Sequence, residues 1–185
     1  MTTAAVVLAA GAGTRFAGPV HKLLADAGGR PVVARAVAAA VGAGLDEVVV
    51  VTGAADLSAV LPAGVRVVHN PRWADGMATS LAAGVAAAAD AGHDAVVVGL
   101  GDQPGVTADA WRAVAAAHAP IAVATYGGRR GHPVRLAAAT WAALPAAGDQ
   151  GARALMASGA FPVEEVPCRG DAQDVDTVED LRAWS

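Results

Sequence analysis

Three apolar runs of strand length, rich in valine and alanine, recur along the chain at residues 4–8, 47–52 and 95–100. Such nearly continuous apolar runs are typical of strands that are buried on both faces of a parallel sheet. Residues 31–43 and 76–91 lie between them and carry apolar side chains at helical spacing. This alternation predicts an α/β fold, a three-layer α/β/α sandwich around a mostly parallel, Rossmann-like sheet.

The length of 185 residues and the hydrophobic content of 55% fit one domain, residues 1–185, with a sizeable core. The net charge of −4 argues against a broad basic surface for nucleic acid. No apolar run approaches the roughly 20 residues of a membrane span, and no signal-type pattern opens the sequence. We therefore expect a cytoplasmic protein without a nucleic-acid or membrane partner.

Weaker patterns predict further strands at residues 66–69, 121–124, 133–136 and 162–166.

A glycine-rich stretch, Ala-Gly-Ala-Gly-Thr-Arg, follows the first predicted strand at residues 10–15. Its glycines let backbone N–H groups approach phosphate oxygens closely. Neither common phosphate loop fits, because Phe16 stands where the dinucleotide fingerprint needs glycine, and residues 18–20 lack the Gly-Lys-Ser/Thr of Walker A. The stretch therefore predicts an anion-binding loop of another kind.

Lys22 is the only lysine among the 13 lysine and arginine residues of the chain, and it lies just beyond this stretch. On a solvated surface lysine and arginine serve equally well, whereas a charge that moves with a ligand favours the compact ammonium of lysine. The alternative is a lysine that survived by chance. We interpret Lys22 and Arg15 as two cations that reach the same triphosphate from different sides.

Asp102 follows the strand predicted at residues 95–100 and is placed to hold Mg²⁺, which binds one or two protein carboxylates together with phosphate oxygens and water. Its alternative role is to begin a turn with Pro104. Asp174 and Asp176 lie at what we predict to be the end of a strand, so their side chains are expected on opposite faces and only one of them at the metal. The next residues predict a helix capped by Thr177 and Asp180.

Six segments, in order, together resemble the molybdenum-cofactor nucleotidyltransferases, and most closely the molybdopterin cytidylyltransferase-like branch. The segments are residues 8–15 with Lys22, 70–81, 101–104, 130–134, 148–153 and 174–181. The resemblance covers nearly the whole chain and implies a sheet of the nucleotide-diphospho-sugar transferase type. It also implies a Mg²⁺-dependent enzyme that transfers a nucleoside monophosphate and releases pyrophosphate.

The resemblance further implies roles for individual residues. Arg15, Lys22 and Asp102 would be catalytic, Asp102 and Asp176 would bind Mg²⁺, and His132 and Asp149 would line the acceptor pocket. The nucleotide would be bound by residues of the glycine-rich loop, the two cations, the segment around Ser80 and the metal aspartate: Leu8, Ala9, Ala10, Gly11, Ala12, Gly13, Arg15, Lys22, Gly76, Ser80 and Asp102.

An alanine at position 10 is similar to the cytidylyl-type branch, whereas guanylyl-type relatives tend to have glycine there. CTP is therefore the expected donor. Molybdopterin is the expected acceptor, and a molybdenum hydroxylase or its accessory chaperone is the expected partner. A sugar phosphate, methylerythritol phosphate or phospholactate acceptor stays open, as does a GTP-using enzyme. A non-catalytic cofactor-delivery module is the alternative of another class, and it would be expected to lose Arg15, Lys22 or Asp102, all of which are present.

Overall fold

The computed structural model describes residues 1–184, whose centre is a seven-stranded sheet. The strands lie in the order β3-β2-β1-β4-β6-β5-β7. Their bounds are Thr3–Ala9 (β1), Glu47–Thr52 (β2), Arg66–His69 (β3), Ala95–Leu100 (β4), Ile121–Tyr126 (β5), Arg129–Ala137 (β6) and Val163–Pro167 (β7). The helices are Val32–Gly42 (α1), Met77–Asp90 (α2), Ala108–Ala115 (α3), Ala138–Trp141 (α4), Ala152–Ala157 (α5) and Val178–Arg182 (α6).

The sheet is mostly parallel. Strand β1 pairs in parallel with β2 and β4, β2 with β3, and β5 with β7, whereas β6 runs antiparallel to both β4 and β5. The parallel strands β1 and β4 are central, so their carboxyl ends meet at one edge of the sheet. That edge is where ligands bind in open α/β sheets.

The alternation of side chains along β1 divides the core into two layers. Ala5 and Val7 pack with α1 and α3 on one face, and Val6 and Leu8 pack with α2 on the other. Helix α2 approaches the sheet closely at Gly84, where an added Cβ would lie 2.5 Å from a methyl carbon of Val6. Helices therefore cover both faces, and the predicted three-layer α/β/α sandwich is confirmed.

The predicted strands and helices agree with the structure to within a few residues, except before the last helix. Helices α3, α4 and α5 have no counterpart among the predicted elements. Residues 171–176 do not form the strand that we predicted before the last helix, so strand alternation does not place Asp174 and Asp176 on opposite faces. Thr177 and Asp180 do form a reciprocal capping box at α6. No helix within residues 1–184 is long and apolar enough to cross a membrane.

Candidate active site

A cavity of about 530 Å³ opens at the carboxyl ends of β1 and β4. The glycine-rich loop after β1 forms one side, and the start of α2 forms another. Every residue predicted to bind the nucleotide lines this cavity, as do Asp149, Asp174 and Asp176. Its other lining residues are Thr14, which belongs to the glycine-rich stretch, and Leu23, Trp73, Ala74, Met77 and Leu100.

Lys22 bridges two carboxylates inside the cavity. Its ammonium nitrogen lies 2.6 Å from Oδ2 of Asp102 and 3.1 Å from Oδ1 of Asp176, and its side chain is only 11% exposed. Burial by itself lowers the pKa of Lys22, but the charge of Asp102 and the hydrogen bonds to both carboxylates outweigh it, so that this pKa is raised above 10.5. The lysine is therefore a permanent cation.

Arg15 reaches the same carboxylate from the solvent side. Its guanidinium lies 2.9 Å from Oδ2 of Asp176, while its own side chain is 76% exposed. Screening by water makes such an exposed pair weak, so Arg15 is easily drawn to another anion. Both predicted phosphate cations thus contact Asp176.

His21 connects the glycine-rich loop to the turn that carries Lys22, a role that the sequence analysis missed. Its Nδ1 accepts a hydrogen bond from the backbone N–H of Leu23, and its Nε2 lies 3.1 Å from the carbonyl oxygen of Gly11. Because Nδ1 is an acceptor, the proton of the neutral ring is on Nε2, which donates to Gly11. The imidazole therefore fixes the loop relative to Lys22.

Gln103 binds the segment of Asp174 and Asp176 to the end of β4. Its buried amide donates to the carbonyl oxygen of Ala172 at 2.9 Å and to Oδ1 of Asp174 at 2.7 Å. The N–H of Val175 in turn donates to the carbonyl oxygen of Asp102 at 2.9 Å. These three bonds hold Asp176 opposite Lys22 without a strand. Burial raises the pKa of Asp174, and the charge of Asp102 adds to this rise.

The start of α2 forms the wall on which Gly76 and Ser80 lie. The Ser80 hydroxyl accepts a hydrogen bond of 3.0 Å from the buried amide of Asn70. Gly76 has a φ of 106°, and an added Cβ would lie 2.7 Å from the backbone of Gly148. Both the conformation and the close approach therefore require glycine. The Asp149 carboxylate accepts from the Met77 N–H at 3.3 Å, beside the positive end of the helix.

His132 is not among the residues that line the cavity. It is located on β6, and its carbonyl oxygen accepts a 2.8 Å hydrogen bond from the Tyr126 hydroxyl. Burial lowers the pKa of His132 to about 4, and the charges of Asp102 and Arg153 act on it in opposite directions. Its imidazole is therefore neutral near pH 7. A role in acceptor binding stays a prediction for His132.

Acid is expected to destabilise the protein through this imidazole. The folded pKa of about 4 lies below the ordinary 6.5, so the unfolded chain binds more protons as the pH falls between these values. The unfolding free energy of the parent should fall more between pH 7 and pH 4 than that of His132→Gln. The two decreases should differ by about 3 kcal/mol at most. Urea unfolding at several pH values measures this difference. His118→Gln, at an exposed position, is the control, and equal pH slopes for all three proteins would contradict the prediction.

A family model described as a MobA-like NTP transferase domain matches residues 5–165. The chain belongs to this family. A MobA-like NTP transferase is a nucleotidyltransferase, and the cavity at the ends of β1 and β4 agrees with such an activity. The predicted resemblance to molybdenum-cofactor nucleotidyltransferases is therefore confirmed at the level of the family.

Solved structures of similar sequence have the same fold. Rv0371c from Mycobacterium tuberculosis H37Rv is 30% identical, with a TM-score of 0.83 over 99% of this chain and 97% of its own. A structure of Rv0371c in complex with manganese is 28% identical over 100% and 98% of the two chains, with a TM-score of 0.84. Mth528, a nucleotidyl transferase from a Methanothermobacter species, is 29% identical over 99% and 96%, with a TM-score of 0.81. A search of curated proteins finds no match.

Proposed function

We propose that this MobA-like NTP transferase moves CMP from CTP onto the phosphate of molybdopterin and releases pyrophosphate. The observation that carries the proposal is the arrangement of Lys22, Arg15, Asp102 and Asp176 in one cavity beside a glycine-rich loop. The nucleotide-modified cofactor would pass to a molybdenum hydroxylase or its accessory chaperone.

The transfer needs no general base. A phosphate monoester acceptor is largely ionised near neutral pH, since its second pKa is about 6. Its oxygen forms the new bond to the α-phosphorus of CTP, and the bond from that phosphorus to the pyrophosphate oxygen breaks. Lys22 and Arg15 would stabilise the charge that develops on the pyrophosphate. Positioning and charge neutralisation therefore account for the catalysis.

The residues at the site fit a divalent cation. Asp102 and Asp176 already share one positive charge, the Lys22 ammonium, at hydrogen-bonding distance. Within residues 1–184 no three His, Cys, Asp or Glu side chains are grouped to hold a metal ion alone. This suits Mg²⁺, which takes one or two carboxylates and fills its other positions with phosphate oxygens and water. A bound cation would neutralise phosphate charge, and the manganese complex of Rv0371c supports this proposal.

Asp176→Asn should lower kcat more than Asp174→Asn. Asp176 contacts both Lys22 and Arg15, whereas the carboxylate of Asp174 accepts from Gln103. We expect the two variants to differ by at least ~10-fold, the order of one misplaced charge in a preorganised site. Pyrophosphate release at saturating CTP and varied Mg²⁺ measures both. A larger loss in Asp174→Asn would make Asp174 the second metal ligand.

We expect a preference for cytosine, because Ala10, the residue that matches the cytidylyl-type branch, lines the cavity together with Ser80. With Mg²⁺ present, CTP should bind at least ~10-fold more tightly than GTP, a difference of about 1.4 kcal/mol. Calorimetry measures the two affinities. Pyrophosphate release from each of the four NTPs with molybdopterin, a sugar phosphate, methylerythritol phosphate and phospholactate then identifies the acceptor. Tighter binding of GTP would assign the enzyme to the guanylyl-type branch, and release with another acceptor would replace molybdopterin.

A further inference from the structure

The Lys22 ammonium is held by the carboxylates that the proposed cation would need. It lies 2.6 Å from Asp102 and 3.1 Å from Asp176. Its carbon chain lies against the glycine-rich loop, because a Cβ added to Gly13 would come within 2.9 Å of Lys22 Cγ. The positive charge is thus directed at protein oxygens, although the proposed reaction needs it on the pyrophosphate.

In this position two of the three N–H donors of Lys22 are directed at carboxylates, so its charge is only partly available to a phosphate. An ammonium has three donors and one positive charge, so in bridging two carboxylates it does for them what a divalent cation would do. A Mg²⁺ ion at about 2.0–2.1 Å from the same carboxylates would lie close to the Lys22 ammonium, and the two positive charges would repel each other. Lys22 and the cation are therefore expected to compete for the two carboxylates.

We propose that the Lys22 ammonium and the divalent cation compete for Asp102 and Asp176, and that cation binding displaces Lys22 and turns its charge toward the nucleotide phosphates. The identity of the cation and of the phosphates rests on the proposed function. The competition between the two cations is a separate claim about this chain.

The local structure allows the side chain to move while its backbone stays in place. The turn Lys22–Leu24 is anchored by the buried Leu23 and by the two hydrogen bonds of His21. The flexible four-carbon stem of lysine carries a charge that can turn about this fixed point. A displaced ammonium gains a partner when phosphate is present, so cation and nucleotide should each strengthen the binding of the other.

The first test is a Mn²⁺ titration without nucleotide, followed by electron paramagnetic resonance. Lys22→Met removes the competing charge, and we expect it to bind Mn²⁺ at least ~10-fold more tightly than the parent. Arg15→Met is the matched control, since it removes a positive charge from the same Asp176. That charge is largely screened by solvent, so its loss should change affinity by less than ~3-fold. Unchanged or weaker Mn²⁺ binding by folded Lys22→Met would overturn the proposal.

The second test uses the parent protein and does not depend on a variant that folds. Because Lys22 is the only lysine, acetylation by an N-hydroxysuccinimide ester can modify only Lys22 and the amino terminus as amines. Mass spectrometry then gives the rate at Lys22 relative to Met1. Mn²⁺ should raise this ratio several-fold, by releasing the ammonium from the carboxylates. An unchanged or lower ratio would contradict the displacement.

Asp102→Asn provides the control for the labelling. It weakens the hold on Lys22, so its labelling ratio should be high and should not respond to Mn²⁺. A ratio that still rises with Mn²⁺ in this variant would show that the effect arises elsewhere and would overturn the proposal. None of these measurements contains CTP or an acceptor. The Mn²⁺-binding and labelling results can therefore be interpreted even if CMP transfer is not observed. The transfer assay can likewise be interpreted if Lys22 and the cation do not compete.

Discussion

Replacing Asp102 with alanine is expected to abolish cation-dependent pyrophosphate release while the fold survives. Asp102 lies just beyond the end of β4, with a side chain that is 19% exposed and bonded to Lys22. It belongs to neither of the large core clusters beside the sheet. The loss should reach at least ~10³-fold in kcat, because the proposed cation would lose one of its two carboxylate ligands.

The matched control for this variant is Asp109→Ala. Asp109 is an exposed aspartate of α3 that pairs with Arg112 on the surface, and its removal should leave turnover within ~2-fold of the parent. Circular dichroism and thermal unfolding verify that both variants are folded. Undiminished turnover by Asp102→Ala at ordinary Mg²⁺ would remove this residue from the active site.

Lys22→Ala is expected to lower kcat by ~10²-fold or more, the order for the loss of one preorganised charge at a reacting group. Nucleotide affinity should fall less, because Arg15 and the loop still contact the phosphates in the proposed complex. Lys22→Arg should also be impaired. The lysine side chain is 11% exposed and lies against Gly13, so the larger planar guanidinium cannot occupy the same space or reproduce a compact charge.

Arg15→Lys is the comparison that distinguishes an effect of side-chain size and shape from an effect of charge. The Arg15 side chain is 76% exposed, so Arg15→Lys should lower activity much less than Lys22→Arg does. Single-turnover pyrophosphate release on purified, folded variants measures all of them. If Lys22→Arg is as active as the parent, the interpretation of the single lysine as a functional residue is wrong.

The sheet could be predicted closely because its signal is local. Residues 47–52, 66–69 and 95–100 are strands with the bounds that the apolar runs indicated. Helix α3 was missed because only eight residues form it, with Ala110, Trp111 and Val114 as its buried positions. So short a segment, rich in alanine, has too few apolar positions to show a helical period against its surroundings.

The residues that line the cavity could also be predicted in large part, since the glycine-rich loop and Asp102 follow strands that end at the same edge of the sheet. The contacts between them could not. Lys22 meets Asp102 across 80 residues and Asp176 across 154. Likewise, Gln103 holds Asp174 across 71 residues. Such pairings depend on how the finished fold brings distant segments together, and a spacing rule for a strand gave the wrong local structure there.

The ion pair of Lys22 with Asp176 also has a consequence for biosynthesis. Its two members are 154 positions apart, so no nascent chain that ends before Asp176 carries the full set of charges at the cavity. The parallel strands β1, β2 and β4 are all complete by Leu100, and the carboxylate opposite the lysine emerges from the ribosome long after them. A growing chain can thus have the central strands of its sheet before it has all the charged side chains of the cavity.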